Sequence, residues 1–560
     1  MIERELSLLI LQAVGAAAPE LGLEETPDGV EVVRPRQKEH GDYSTNIALA
    51  LGASTGKNPR EVADVVLRHL PPNDVVAKAE VAGPGFINMF LAHGWLYRVL
   101  GEIERQGDAY GRSDAGGETV QVEFVSANPT GPLHVGSGRN AALGDSLARV
   151  LEAAGHRVER EYYVNDAGTQ AELFAASVDA RYLQHFGREA TVPDRGYEGV
   201  YLVDAAARIA AEVGDSLLEA SPEERRARLG EDGVRLMLES IGSSLARMGV
   251  RIDRWVHQSA LLRDGLVEQA VTLLRERGLA YEADGAVWFR AERFGDEKDR
   301  VLIRSNGEPT YFASDCAYIR EKFARGYDRL VYIWGADHHG TVRRLQGAVQ
   351  ALGYEVDRVE FIVYQLVSLF RGGEPVRMSK RTGELITLDE VIDEVGPDAA
   401  RYTLLARSPD STLDFDLEAV RRQTLDNPVY YVQYAHARIA SVLRYAEEQG
   451  VPLAPLEDVR PEELVHETEL DLLRKIAELP EQIELAAKLR APYRMTRFAE
   501  ELAAGFHRFY TECRVVTEDR SLTQARLHLA AATRQTIANV LALLGVSAPV
   551  SMARLEEGPR

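Results

Sequence analysis

His134 and Gly136 stand two apart in PTGPLHVGSGRN (129–140), where a strand-like run gives way to a helix. Glycine lets a ligand reach the backbone, and a helix amino end offers free N–H donors and a positive dipole end to phosphate. An imidazole at such a place can donate to charge that develops during phosphoryl or nucleotidyl transfer. Alone, a His-x-Gly is more often an ordinary helix entrance. A second element, RMSKRTGE (377–384), follows about 240 residues downstream. Lys380 is a long cation on a glycine-containing loop, flanked by Arg377 and Arg381. Such a loop can close over a triphosphate and neutralise departing pyrophosphate. Taken singly it is a solvated basic turn. Asp337, His338 and His339 in WGADHHG (334–340) raise the question of a metal. With no cysteine and no well-spaced third ligand beside them, no protein-bound structural metal is expected.

These residues need strands and helices to carry them. TVQVEFV (119–125) alternates and is β-branched, as a strand does, and SANPTGP (126–132) is turn material. From about Val135 a helix follows, with Leu143, Leu147, Val150 and Leu151 on one face and Gly155 just past its end. RLVYIWGADHHG (329–340) is an apolar strand running into a polar loop, and FIVYQLVSLF (361–370) is another strand. Asp284-Gly285 introduces AVWFR and RVLIRSNGEPTYF, two strand-like runs with turn dipeptides. Thr387-x-x-Glu390 is a capping box for a short helix ending near Gly396-Pro397. Strand, loop and helix in repetition imply an α/β parallel sheet with its site at the carboxyl ends of the strands. Residues 171–280 are mostly helical and charged, an insertion or helical layer. Residues 1–110 read as a small α+β unit, closed by the Gly-rich linker GRSDAGGE (111–118). After about Arg421 only helical patterns occur.

The 560 residues allow three or four domains. Lys plus Arg number 65 and Asp plus Glu 87, a formal charge of −22, which argues against a nonspecific nucleic-acid coat and a basic membrane binder. It leaves room for a local basic stripe. Residues 447–484 carry twelve acidic and three basic side chains, whereas 488–534 carry nine basic and five acidic. Cys316 and Cys513 are too few for a zinc ribbon or a disulfide framework, which fits a reducing cytosol. MIERELSLLILQAVGAAA has acidic residues where a signal peptide would carry only positive charge, and no run of about 20 apolar residues spans a membrane. A cytoplasmic protein is expected.

The pair of motifs is more specific than either half. H-x-G after the first strand and M-S-K after a late one resemble the HIGH and KMSKS signatures of class I aminoacyl-tRNA synthetases. The fourth HIGH position is Ser137 rather than histidine, the first KMSKS lysine is Arg377, and the final serine is Arg381. The flanking text is similar to the arginyl-tRNA synthetase family nearly end to end: VEFVSANPTGPLHVG (122–136), GDYSTNIAL (41–49), GPGFINMFL (83–91), YFASDCAY (311–318), DFDLEAV (414–420), YYVQYAHARI (430–439) and HRFYTECRV (507–515).

The resemblance implies a Rossmann-type parallel-sheet catalytic domain (111–420, with the helical insertion at about 171–280). It also implies an N-terminal α+β domain (1–110) contacting the tRNA elbow and a C-terminal all-α anticodon-binding domain (421–560). It implies ATP-dependent ligation of L-arginine to tRNA(Arg) by a monomer that binds no membrane, with Mg2+ held by ATP phosphates and water. His134, Gly136, Ser137 and Lys380 become the catalytic set. Gly335, Asp337, Met378 and Ser379 join them around ATP. Glu123 and Asn128 hold the α-amino end of arginine, while Tyr311 and Asp315 receive the guanidinium. Many family members replace the second KMSKS lysine with one just before the HIGH motif; here that position is Gly131, consistent with Lys380 being present. An arginine pocket independently calls for carboxylates in bidentate geometry, and Tyr311 and Asp315 are four apart, on one face of a helix.

For RNA, PYRMTRFAEELAAGFHRFYTECR interleaves Arg494, Arg497, Arg508 and Arg514 with aromatics, as loop-base recognition requires. Phe506 and Phe509 taken individually read as core. Phe86 and Asn88 match family positions that touch a D-loop base; from the residues alone they are equally a strand side chain and a turn amide. Another class I ligase or adenylate-forming enzyme on the same fold remains the alternative, and a catalytically silent tRNA-binding paralogue is a third. A cysteinyl enzyme would need zinc ligands that two distant cysteines do not supply.

Overall fold

The computed structural model describes residues 2–114, 116–376 and 386–553, apart from the His339 side chain. At its centre five parallel strands lie in the order Val359–Tyr364, Arg329–Gly335, Thr119–Glu123, Arg157–Val164, Arg254–His257. The strand that comes first in sequence is thus in the middle. The chain next builds Arg157–Val164 and Arg254–His257 on one side of it and later adds Arg329–Gly335 and Val359–Tyr364 on the other. That reversal leaves a crevice at the carboxyl ends of Thr119–Glu123 and Arg329–Gly335, where ligands bind in open α/β sheets.

The central strand is buried on both faces, with Val120 and Val122 on one and Gln121 and Glu123 on the other. The helix Val135–Ala153 packs close behind it. Gly144 makes the approach possible: a Cβ there would lie 2.2 Å from the Phe124 ring. The back of this helix is fixed by charge. Asp145 pairs with Arg149, Arg160 and Arg401, and the Arg401 guanidinium also donates to the carbonyl oxygens of Met248 and Leu544. The mutual pairing offsets the cost of burying these ions.

Two sequence expectations change. The run 361–370 is two strands: Val359–Tyr364 belongs to the parallel sheet, whereas Val367–Arg371 pairs with Glu374–Pro375 and Leu413–Asp416 in a separate sheet. The helical stretch read as 171–280 contains Thr169–His185, Val200–Val213 and Pro222–Arg247, then the strand Arg254–His257, which completes the central sheet. Asp284-Gly285 does make the tight turn expected of it, with φ of 55° and 74°, between Ala280–Ala283 and Ala286–Phe289.

From Pro428 the described residues form helices and connecting turns, chiefly Pro428–Glu448, Glu467–Ala477, Leu479–Lys488, Arg494–Glu512 and Arg520–Leu544. The N-terminal unit packs Ile47–Thr55 and Pro59–Arg68 on a three-stranded antiparallel sheet of Tyr43–Thr45, Phe86–Leu91 and Val76–Ala82, with Ile2–Leu21 against Pro59–Arg68. Pro59 occupies the first helical turn, where its missing N–H costs nothing, and Asn58 caps it by accepting from the Arg60 amide. Among the described residues no helix is long and apolar enough to cross a membrane.

Candidate active site

The chain leaves the central strand through a strained turn. Val125 and Ser126 both have positive φ, 65° and 39°, a conformation that a β-branched residue rarely adopts. Asn140, one and a half turns into the following helix, holds the turn open: its Oδ1 accepts from the Val125 amide at 2.8 Å and its Nδ2 donates to the Ile333 carbonyl at 3.0 Å. Tyr162 donates to the Ala127 carbonyl at 2.6 Å. The Ser126 hydroxyl accepts from the Tyr163 amide and donates to Glu123. Nothing in the sequence marked Asn140; a polar residue on the buried face of an amphipathic helix was the available signal.

The turn delivers His134 to the amino end of the helix as its N-cap. The Nδ1 atom accepts from the amides of Gly136 and Ser137 at 3.1 and 3.4 Å. With Nδ1 an acceptor, the ring proton sits on Nε2, which is the donor the site offers. A Cβ at Gly136 would fall 2.9 Å from His134 Cε1, so glycine is what lets the imidazole fold back onto the helix end. Ser137 is buried in the first turn.

Lys380, Met378 and Ser379 lie outside the described residues, but the flanks of their segment do not. Upstream, the Val376 amide donates to Leu369. Downstream, Thr387 pairs with His134 in an antiparallel bridge, and the Leu388 amide donates to the Leu133 carbonyl at 2.7 Å. The chain at Thr387–Leu388 is therefore held against the His134 turn. Thr387 and Glu390 make the expected capping box.

Gly335 and Asp337 stand at the end of the neighbouring strand, across the crevice. A Cβ at Gly335 would lie 2.6 Å from Asp337 Oδ1, and Asp337 is exposed, 3.7 Å from His338.

A second group lies on the other side of the turn. Glu123 is buried at the end of the central strand. Asn128 is exposed on the loop above, accepting from Asn165 Nδ2 at 3.1 Å and donating to Gln170 Oε1 at 2.6 Å. Tyr311 and Asp315 do share a face of one helix, Tyr311–Ala324, capped by Thr310. Tyr311 is exposed, and its hydroxyl would be 3.2 Å from a Cβ on Gly168. Asp315 makes no hydrogen bond or ion pair with the described residues, and burial together with the Glu123 charge pushes its carboxyl up to about 7. Such a carboxylate awaits a cation. The loop VNDAGTQ (164–170), overlooked in the sequence, supplies Asn165, Gly168 and Gln170 to this group. Asp166 anchors it through His257 Nδ1 at 2.7 Å and the Ser259 amide and hydroxyl. Its position after a strand, with Asn-Asp and Gly, was a legible turn signal.

The predicted RNA-contacting residues divide. Arg497 and Arg508 are exposed three turns apart on one side of the helix Arg494–Glu512, and Arg497 pairs with Glu501 at 2.8 Å. Arg514 is exposed just beyond the helix, whereas Arg494 is half-buried near Gln482. Phe498, Phe506 and Phe509 are core. Beside Arg508 runs a groove lined by Tyr431, His507 and Thr511, and Tyr431 packs on His507 with ring centroids 4.8 Å apart. Arg438 lies over the rings of Tyr434 and Tyr510, at 5.1 and 5.7 Å. In the N-terminal unit Phe86 is exposed, while the Asn88 side chain is buried and accepts from Ser44 at 2.9 Å.

Comparison with known proteins follows the same three parts. Residues 4–91 match the arginyl tRNA synthetase N-terminal domain, 101–214 and 223–441 the catalytic domain of class I (R) tRNA synthetases, and 432–552 the DALR anticodon binding domain. An arginine–tRNA ligase of Moorella thermoacetica is 50% identical over 542 residues, 96% of this chain and 97% of that protein. One of Carboxydothermus hydrogenoformans is 51% identical over 523 residues, 93% and 94%. Among solved structures, a putative arginyl-tRNA synthetase of Campylobacter jejuni superposes with TM-score 0.75 at 33% identity, covering 82% of this chain and all of that one. The Thermus thermophilus arginyl-tRNA synthetase shares the fold, with TM-score 0.75 at 24% identity over 99% of this chain and all of that one.

Proposed function

The chain belongs to the arginyl-tRNA synthetases, class I ligases that join arginine to tRNA, and from that premise we infer how its crevice divides the work. MgATP lies between the His134 turn and Gly335–Asp337, with its phosphates on the amino end of the helix Val135–Ala153. Arginine lies beside it, its α-ammonium on Glu123 and Asn128 and its guanidinium on Tyr311 and Asp315. The arginine carboxylate attacks the α-phosphorus, and the bond to the bridging β-phosphate oxygen breaks. His134 Nε2–H and Lys380 neutralise the charge that gathers on the phosphates. The 3′-terminal ribose hydroxyl of tRNA then attacks the carbonyl of the arginyl-adenylate, and AMP leaves.

The observation that carries this assignment is the backbone bridge between His134 and Thr387. It ties the turn that carries the first motif to the chain just after the second, at the sheet's switch point, and this supports a site whose carboxylate pair suits a substrate with a cation at each end. The DALR domain takes the anticodon, with the Tyr431, Tyr434, Arg438 and Arg508 surface as its contact, since stacked rings and guanidinium groups suit unpaired bases. The 1–110 unit takes the tRNA elbow through Phe86. The protein acts as a monomer in the cytoplasm.

The test is ATP–pyrophosphate exchange with each of the twenty amino acids, with and without total tRNA. Exchange is expected with arginine, and only when tRNA is added. Lys380→Ala is expected to lower it by roughly 100- to 1,000-fold, the range for losing one donor to transition-state charge, while equilibrium binding of arginine persists. Unchanged exchange in that variant would sink the Lys380 assignment.

A further inference from the structure

Beneath the carboxylates assigned to arginine lies a lysine that the mechanism does not use. Lys322 is fully buried on the helix Tyr311–Ala324. Its Nζ is 2.5 Å from Glu123 Oε2 and 3.7 Å from Glu161 Oε1. The rings of Tyr318 and Tyr332 close on it, with Nζ 4.2 and 3.9 Å from their centroids. A lysine with no exposure and two aromatic faces cannot follow its carboxylate partners if they move. It is a fixed charge.

Glu161 is supplied from elsewhere: Tyr318 donates to it, and Arg325 pairs with it through both terminal nitrogens. The remaining bond to Glu123 is the Ser126 hydroxyl at 3.2 Å, on the other oxygen. Lys322 is therefore the cation that neutralises Glu123.

We propose that Lys322 is a positioning residue for substrate selection: locked to Glu123 at the end of the central strand, it offsets the Glu123 charge near Asp315, so that the site accepts a substrate bearing a cation at both ends. This rests on the assignment of Glu123 and Asp315 to arginine. The groups that face Asp315 are Glu123 from the central strand, Tyr163 with Asp166 behind it from the adjoining strand and loop, and Arg344 from the helix His339–Ala351. Tyr311 and Lys322 share its side of its own helix, four residues before and seven after it, and Cys316 adjoins it. Glu123 opposes ionisation of Asp315, whereas Arg344 and Lys322 favour it. Losing Lys322 leaves Arg344 alone against Glu123.

The experiment measures KM for arginine and kcat in tRNA charging from pH 6 to 8.5. Lys322→Met alone leaves buried carboxylates uncompensated and can unfold the chain. The decisive variant is therefore Lys322→Met with Glu161→Gln, which removes one charge of each sign, compared against Glu161→Gln. In the wild type and in Glu161→Gln, KM should fall as pH rises through about 7, where Asp315 loses its proton. In the double variant that inflection should move up by about one pH unit, raising KM roughly tenfold at neutral pH with kcat at saturating arginine within about threefold. Superimposable pH profiles for the double variant and Glu161→Gln overturn the proposal, because a merely structural lysine would lower stability and leave the inflection in place. Asp315→Asn should flatten the profile and raise KM. If it leaves KM unchanged, the arginine assignment itself fails and the proposal falls with it.

Discussion

At the scale of single residues, the arginine site proposed above would store a cost that its substrate relieves. Desolvation and the Glu123 charge push the half-buried Asp315 carboxyl up to about 7, whereas in the unfolded chain it would release its proton near the usual ~4. Between those values the folded state binds the extra proton, so stability contributed by this position falls as pH rises from about 4 to 7 and stays low above. Asp315→Asn has nothing to titrate. We expect the arginine-free variant to gain melting temperature over the wild type progressively from pH 4 to 7, with a constant difference up to pH 8.5. Added arginine should stabilise the wild type at pH 8 and leave the variant unmoved. A variant that is less stable at pH 8 would show that Asp315 is a structural partner rather than a receptor awaiting charge. His134 is different in kind. It has two helix amides on Nδ1, so its orientation is settled before any substrate arrives.

At the scale of elements, the proposed mechanism depends on a helix whose first turn suits a ligand rather than helix stability. Gly136 is helical, and alanine there would favour the helix by up to about 1 kcal/mol. The new Cβ, however, would press on the His134 ring at 2.9 Å. The helix gain and the loss of the His134 cap offset one another to within about 1 kcal/mol, so Gly136→Ala should melt close to the wild type while arginine-dependent exchange falls by roughly 10-fold or more, the scale on which misplacing a catalytic group is felt. A loss of stability in parallel with activity would contradict this. How much of this was legible follows from what each element needs. The helix start at Val135, the Thr387 capping box and the Asp284-Gly285 turn are local devices, written in a few adjacent residues, and they stand where the sequence puts them. The strand Arg254–His257 was hidden because four residues between helices become a strand only by pairing with Arg157–Val164. The break at Gln365-Leu366 was hidden for the same reason: both halves are apolar, and only their partners differ. Lys322, in the charged run Arg320 to Arg325, reads as solvated; its burial comes from two strand carboxylates that are remote in sequence. The residues assigned to the candidate site stand out in the sequence because their types are chemical. Their supports, Asn140 and Asp166, are visible only once the chain is folded.

At the scale of the whole molecule, the charge of −22 acquires a second use. The acidic run 447–484 is in part the seat of the N-terminal unit. Arg34 pairs with Glu481 at 2.9 Å and Glu478 at 3.6 Å and lies over the Tyr43 ring at 4.4 Å, while Tyr43 donates to Glu481. Asp42 pairs with Arg474 at 2.7 Å, and Lys38 with Asp471. Tyr97 and Tyr110 donate to the carbonyls of Leu464 and Ile476. A Cβ at Gly111 would strike Leu479. The GDYST turn is thus an inter-domain joint, and the parts proposed to meet the tRNA elbow and its anticodon form one packed body. Deleting 1–110 would strip this face from the anticodon domain, so loss of charging by the truncated chain would not isolate an elbow contact. Arg34→Met leaves both units whole. It leaves the buried Glu481 without its cation, holding only the Tyr43 hydroxyl, which should cost roughly 1–3 kcal/mol at the joint, and urea unfolding should separate into two steps as the N-terminal unit releases early. In charging assays KM for tRNA should rise while KM for arginine holds, because the joint is built without any residue of the crevice. Phe86→Ala provides the contrast: a single unfolding step, with a rise in tRNA KM alone. Should Arg34→Met raise the arginine KM as much as the tRNA KM, the joint and the crevice would be one cooperative unit, and the division of labour drawn here would fail.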